Sequence, residues 1–198
     1  MIFNFFKNNE ENEDDDTSYE EYDRLKEKLK EATKKKKEDK LDEAIEILKE
    51  TFLEDKKNEL PMSDRLRLPM YLQQANRNEE GWLELSRLLS TRGIGFDRCE
   101  ILKKMALFRK REKSYDDALA YGLQSYIEFI GAEKKFNNRK EVINNLSKDS
   151  KIKSEIQSLI KKTSFEKKSK DVFNLVTSYI EKDSYDNLDL FNDLKNTL

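Results

Sequence analysis

Leu41-Asp42-Glu43-Ala44 recurs as Asn78-Glu79-Glu80-Gly81 and again as Tyr115-Asp116-Asp117-Ala118, so the small residues Ala44, Gly81 and Ala118 stand 37 residues apart. A fixed period of this length marks helical hairpins stacked in series, each unable to bury its apolar face alone. Within each copy the acids suit the first turn of a helix, whose exposed N–H groups form a positive pole. The small residue one step later lets a neighbouring helix come close.

Outward from these anchors the apolar residues keep helical spacing. Tyr22, Leu25, Leu29 and Ala32 predict a helix ending near Lys37, and Leu41, Ala44, Ile45, Leu48 and Phe52 form the inward stripe of its partner. Thr17 or Ser18 is the expected cap of that first helix. Ser63 is read as the start of a second hairpin, in which Leu66, Leu68, Tyr71, Leu72 and Ala75 face Trp82, Leu85, Leu88 and Leu89. Pro69 demands a kink, or a helix that begins close to it, because an interior proline removes a hydrogen bond and collides with the preceding turn. In the third hairpin Phe96, Leu102, Met105 and Ala106 precede Tyr115, Ala118, Leu119 and Tyr126. Beyond Gly131 the period is lost, and shorter helical patterns over 141–146, 152–162 and 170–182 lead to a last amphipathic stretch with Leu188, Phe191, Leu194 and Leu198. This region is expected to cap the exposed end of the array.

Composition agrees with an all-helical chain. Only 5 glycines and 2 prolines occur in 198 residues, too few for a sheet built on tight turns. Charged residues reach 40% against 36% hydrophobic, as suits an elongated helical protein with much surface. A single cysteine, Cys99, excludes an internal disulfide framework. No apolar run has a bilayer-spanning length, and Met1-Ile2-Phe3-Asn4-Phe5-Phe6 is too short for a signal-peptide core, so the cytoplasm is the expected location.

The net charge of −2 conceals segregation along the chain. Residues 1–23 carry nine acids against Lys7 alone, whereas Lys134 to Lys170 contains twelve Lys or Arg against four acids. Residues 1–16 are read as a disordered acidic segment with an apolar tip, 17–132 as three hairpins, and 133–198 as a helical C-terminal region. The three phenylalanines at the tip are costly to leave in water, so they are expected to dock on the protein's own groove or on a partner rather than on a membrane.

The pattern resembles the tetratricopeptide repeat over about residues 17–132. The third unit carries the likeness best, with Leu102, Met105, Ala106, Tyr115, Ala118 and Ser125 at the family's spacing of large and small residues. The departures are Lys35 and Asn78 at positions usually aromatic, Gly81 where alanine is preferred, and a period of 37 rather than about 34. The resemblance implies a superhelix of antiparallel helix pairs whose first helices line a concave, partner-binding face. Lys26, Leu29, Thr33, Lys36 and Lys37 would stand there in the first unit, Leu66, Met70, Gln73 and Gln74 in the second, and Lys103, Leu107, Lys110 and Arg111 in the third. Such a groove, basic at both ends with an apolar and amide middle, suits a protein segment carrying acidic and apolar residues. Leu29 and Thr33 replace the Lys and Asn with which one subtype grips a C-terminal carboxylate, so chaperone-tail binding is rejected.

Chemistry is poorly provided. Histidine is absent, which removes the commonest general base and the commonest nitrogen metal ligand. Cys99 lies beside Arg98, a cation able to lower a thiol pKa, yet without a base it reads as structural. The acid pairs read as helix entrances, and Asp14 to Asp16 lack the glycine and distal glutamate of a calcium loop. Gly93-Ile94-Gly95 lacks the strand and the Gly-Lys-Ser/Thr of a phosphate loop. No catalytic residue, cofactor or metal is expected. A non-enzymatic adaptor is the leading expectation; the alternative is a nucleic-acid accessory factor that uses residues 134–170, with Phe136 and Phe165 as stacking faces.

Overall fold

The computed structural model describes residues 13–92, 95–136, 171, 174–176, 178–179 and 187–197. Among them regular structure is helical throughout: α1 (Glu13–Lys37), α2 (Leu41–Glu54), α3 (Met62–Arg65), α4 (Arg67–Gln74), α5 (Asn78–Ser90), α6 (Phe96–Arg111), α7 (Tyr115–Phe136) and α8 (Asn187–Thr197). No described helix is long and apolar enough to cross a membrane. The apolar tip at 1–6, the patterns at 141–146 and 152–162 and most of the Lys-rich run lie outside the described residues.

The 37-residue period is written into the turns. Asp39, Asn76 and Lys113 all adopt left-handed backbone, with φ of 59°, 59° and 63°. Around each, the same two bonds close the preceding helix: Lys40 N–H to Lys35 O and Asp39 N–H to Lys36 O, then Arg77 to Leu72 and Asn76 to Gln73, then Ser114 to Arg109 and Lys113 to Lys110. This is the Schellman arrangement, which satisfies carbonyls left over at a helix end. The carbonyls of Lys40, Arg77 and Ser114 then accept from Ala44, Gly81 and Ala118, so one residue ends the loop and opens the next helix. Asn is at ease in that conformation, whereas a side chain such as lysine crowds the following carbonyl. Lys113→Gly is therefore expected to stabilise the protein by about 1 kcal/mol. Urea unfolding followed by Trp82 fluorescence checks this, and an unchanged or lower midpoint counts against it.

The chain forms two compact units, residues 1–64 and 65–198. In the first, α1 pairs with α2 through Leu25, Leu29, Ala32, Ala44, Ile45 and Leu48, all buried. Cations of α1 meet acids beyond the turn: Lys35 with Glu43 at 2.5 Å, Lys28 with Glu54 at 2.6 Å and Lys26 with Asp64 at 2.8 Å. The buried Asp55 carboxylate accepts from the N–H groups of Glu59 and Leu60, pinning the chain as it leaves α2.

Two expectations change here. α1 starts at Glu13, so Thr17 and Ser18 lie within it and residues 13–16 belong to the helix rather than to a disordered segment. Acids suit the positive end of a helix, whose dipole favours negative charge there.

In the second unit α4 pairs with α5 and α6 with α7, and α6 also touches both α4 and α5. The helical path breaks at Leu66, one residue before α4, and Pro69 occupies the third position of that helix. There the missing N–H would have had no intrahelical partner in any case. Gly81 lies buried where three helices converge, facing Pro69 O of α4 and the Phe108 ring of α6. Beyond α7, Val176, Tyr179, Leu190 and Leu194 pack on Leu119, Ala120, Leu123 and Ile127, so C-terminal helical residues do cover the outer face of α7. Phe191 stacks near Tyr121 at 4.7 Å, Lys195 pairs with Asp117 at 2.7 Å, and Tyr179 hydrogen-bonds Asp193.

Candidate functional site

α6 is the helix on which the expected partner-binding residues are best presented. Arg98, Cys99, Ile101, Leu102, Met105 and Phe108 occupy half of its circumference and are buried. The opposite half holds Phe96, Glu100, Lys103, Leu107, Lys110 and Arg111, spaced so that all fall on one narrow stripe. Leu107 is half-buried and the other five are exposed. Three of the six are cations, and one is an acid.

Neighbouring helices hold this stripe from both sides. On the α4 side, Gln73 donates to Phe108 O at 3.0 Å and accepts from Arg111 Nη1 at 3.1 Å. On the α7 side, the Phe129 ring meets Phe96 edge-on at 6.0 Å and lies 6.0 Å from Lys103 Nζ. Arg111 is thus oriented while its outer face stays in solvent, and Lys103 gains weak attraction from the ring. The Lys110 and Arg111 side chains also complement the negative end of α6.

The expected groove residues divide into two classes. Lys103, Leu107, Lys110, Arg111 and the exposed Gln74 remain accessible to a partner. Leu66 is 1% exposed, Met70 8% and Gln73 9%, so the expected apolar and amide middle of the groove is given over to the interior. Gln73 serves as the clamp between α4 and α6. In the first unit Leu29 is buried, Lys26 pairs with Asp64, whose hydrogen bond raises the Lys26 pKa, Lys36 is half-buried and Lys37 is exposed.

Other ionisable groups have structural settings. Burial and the nearby Glu128 push the Cys99 thiol up to about 12, overcoming Lys103 and Arg98. The neighbouring cations do not lower it, because desolvation outweighs charge there. Asp117 is drawn upward by burial, but Lys195, Ser114 and Arg109 prevail and hold it below the ordinary carboxylate value. The first-turn acids are likewise engaged, Glu43 with Lys35 and Glu80 with Arg77. Among the described residues no group of three or more His, Cys, Asp or Glu side chains is placed to hold a metal ion.

Two polar contacts of the second unit escape a reading by motif. Arg98 lies in the interior, its Nε 3.1 Å from Glu128 Oε1 and its Nη1 3.1 Å from both Leu89 O and Arg92 O. The signal was present, because Arg98 shares the helical face of Ile101, Leu102 and Met105. Arg109 stacks 3.7 Å over Trp82, which also faces Phe108 and Tyr121. Nothing in the local sequence links Trp82 to a cation 27 positions away. No protein-family model, no curated protein and no solved structure matches this chain.

Proposed function

We propose that the protein is a non-enzymatic adaptor that binds an acidic protein segment through the exposed stripe of α6. The exposed stripe of α6 carries this reading, because Lys103, Lys110 and Arg111 surround the half-buried Leu107 on a helix otherwise committed to the interior. A surface of this kind steers and orients an oppositely charged segment, while its apolar centre supplies contact area. The repeated turns support the same reading, since hairpins in series commonly serve as rigid binding surfaces. The groups described above are engaged in caps, ion pairs and core contacts, and the proposal assigns them no catalytic step.

Lys103 and Lys110 are the residues to reverse, because Arg111 also bonds Gln73 and its loss would loosen α4. The variant carrying Lys103→Glu and Lys110→Glu is expected to retain its helical circular dichroism and lose about tenfold or more in partner affinity. Affinity capture with the full chain, followed by titration of the captured protein, checks this. Equal capture by the variant would remove α6 from the binding surface. Retention that is lost with nuclease treatment would instead favour a nucleic-acid partner.

A further inference from the structure

The α6 stripe is chemically polar along its length. Its N-terminal end is aromatic, with Phe96 43% exposed and leaning edge-on against Phe129 of α7. Its C-terminal end is cationic, with Lys110 and Arg111 side by side. Asp97 and Glu100, both exposed, stand at the aromatic end, although Asp97 faces Arg92 at 3.8 Å. At the other end Glu112 is occupied by Arg109 at 2.8 Å. An acidic ligand is therefore repelled at one end of the stripe and attracted at the other.

We infer that the stripe reads a protein segment in one direction, seating an aromatic or large apolar side chain on Phe96 and Phe129 and placing carboxylates against Lys110 and Arg111. This deepens the adaptor reading and rests on it. Helical rise puts Phe96 and Lys110 about 21 Å apart, since fourteen steps separate them. An extended segment covers that length in about six residue steps from its anchor to its acids, at roughly 3.3 Å per residue. Lys103 and Leu107 lie on the path between the two ends, where a further carboxylate and a short apolar side chain find partners. Aromatic–aromatic contact at the anchor adds specificity that charge alone lacks, because a ring edge on a ring face demands a defined approach.

Two fluorescent peptides of the same composition separate the possibilities. In one, a phenylalanine and a pair of glutamates are held about six residue steps apart by neutral residues; in the other they are adjacent. Anisotropy titration against the full chain is expected to show the spaced peptide binding at least about fivefold more tightly. Phe96→Ser should reduce the spaced peptide to the level of the adjacent one, with helical circular dichroism unchanged. The double reversal at Lys103 and Lys110 should weaken both peptides. Equal binding of the two peptides, together with indifference to Phe96→Ser, overturns the directional inference and leaves the basic stripe as a charge-only surface. Failure of both peptides to bind at low salt overturns the inference and the stripe beneath it.

Discussion

Arg98→Met is expected to destabilise the second unit by about 3 to 5 kcal/mol, the penalty for removing one partner of a buried ion pair. Glu128 is 0% exposed and takes a 3.1 Å bond from Arg98 Nε, so removal of the guanidinium takes a cation away from a buried carboxylate. The same side chain closes the α5–α6 connection through Leu89 O and Arg92 O. Converting both partners, with Arg98→Met and Glu128→Leu together, should recover most of the loss, because the buried carboxylate is removed along with its cation. A residual deficit of about 1 kcal/mol would reflect the two carbonyls that lose a donor.

Trp82, the single tryptophan, reports unfolding of this unit in urea. Cys99 supplies a second readout. It is buried, its thiol is pushed up to about 12, and it follows Arg98 directly, so alkylation should be slow in the native chain and faster in Arg98→Met. A double variant no more stable than Arg98→Met would show that carbonyl capping, rather than the ion pair, is the main contribution.

Gly81→Ala is expected to destabilise the protein by about 2 kcal/mol. In a surface helix this change would gain about 1 kcal/mol from propensity. At position 81 the added Cβ would stand 2.9 Å from Pro69 O and 2.9 Å from Phe108 Cε2. Neither neighbour yields cheaply. Pro69 O is backbone, and Phe108 is wholly buried against Trp82. Overpacking of this kind typically costs about 1 to 3 kcal/mol and outweighs the propensity gain. A Gly81→Ala, Phe108→Leu cycle should show non-additivity, since the smaller ring-free side chain relieves one of the two clashes. A neutral or stabilising Gly81→Ala would mean that α4 and α6 can move apart at this crossing.

The same crowding accounts for the departure of the second copy of the repeat from the other two. Ala44 and Ala118 are fully buried and tolerate a methyl group. Gly81 faces backbone of α4 and the Phe108 ring of α6. The preference for alanine at this position therefore gives way where α4, α5 and α6 meet.

Much of the architecture was legible because it depends on local chemistry. The 37-residue spacing of small residues located all three turns, and the acids after each turn stand in the first helical turns as their dipole preference requires. Pro69 foretold the break at Leu66, because a ring without an N–H can occupy only the first turn. The start of α1 was misplaced for a related reason. A run of acids without apolar residues resembles a disordered linker, yet the same acids stabilise a helix entrance when a helix follows directly.

The candidate site was legible only in part. Periodicity placed Lys103, Leu107, Lys110 and Arg111 on one face of α6, and that face is the open one. The repeat resemblance also put Leu66, Met70 and Gln73 on a binding surface, but it identifies a shared face without saying what covers it. Burial of those three depends on packing among helices far apart in sequence, as the Gln73 bond to Phe108, 35 positions on, makes plain.

The sequence by itself determined the helical class, the positions of the turns and the acid and small-residue pattern at each second helix. These follow from backbone sterics, dipoles and apolar spacing within a few residues. Tertiary structure alone decided that Leu66, Met70 and Gln73 turn to the interior, that Arg98 and Glu128 meet there, and that a methyl group at position 81 is crowded from two helices. Each of those outcomes depends on the distance between atoms of different helices, a quantity that no local pattern contains.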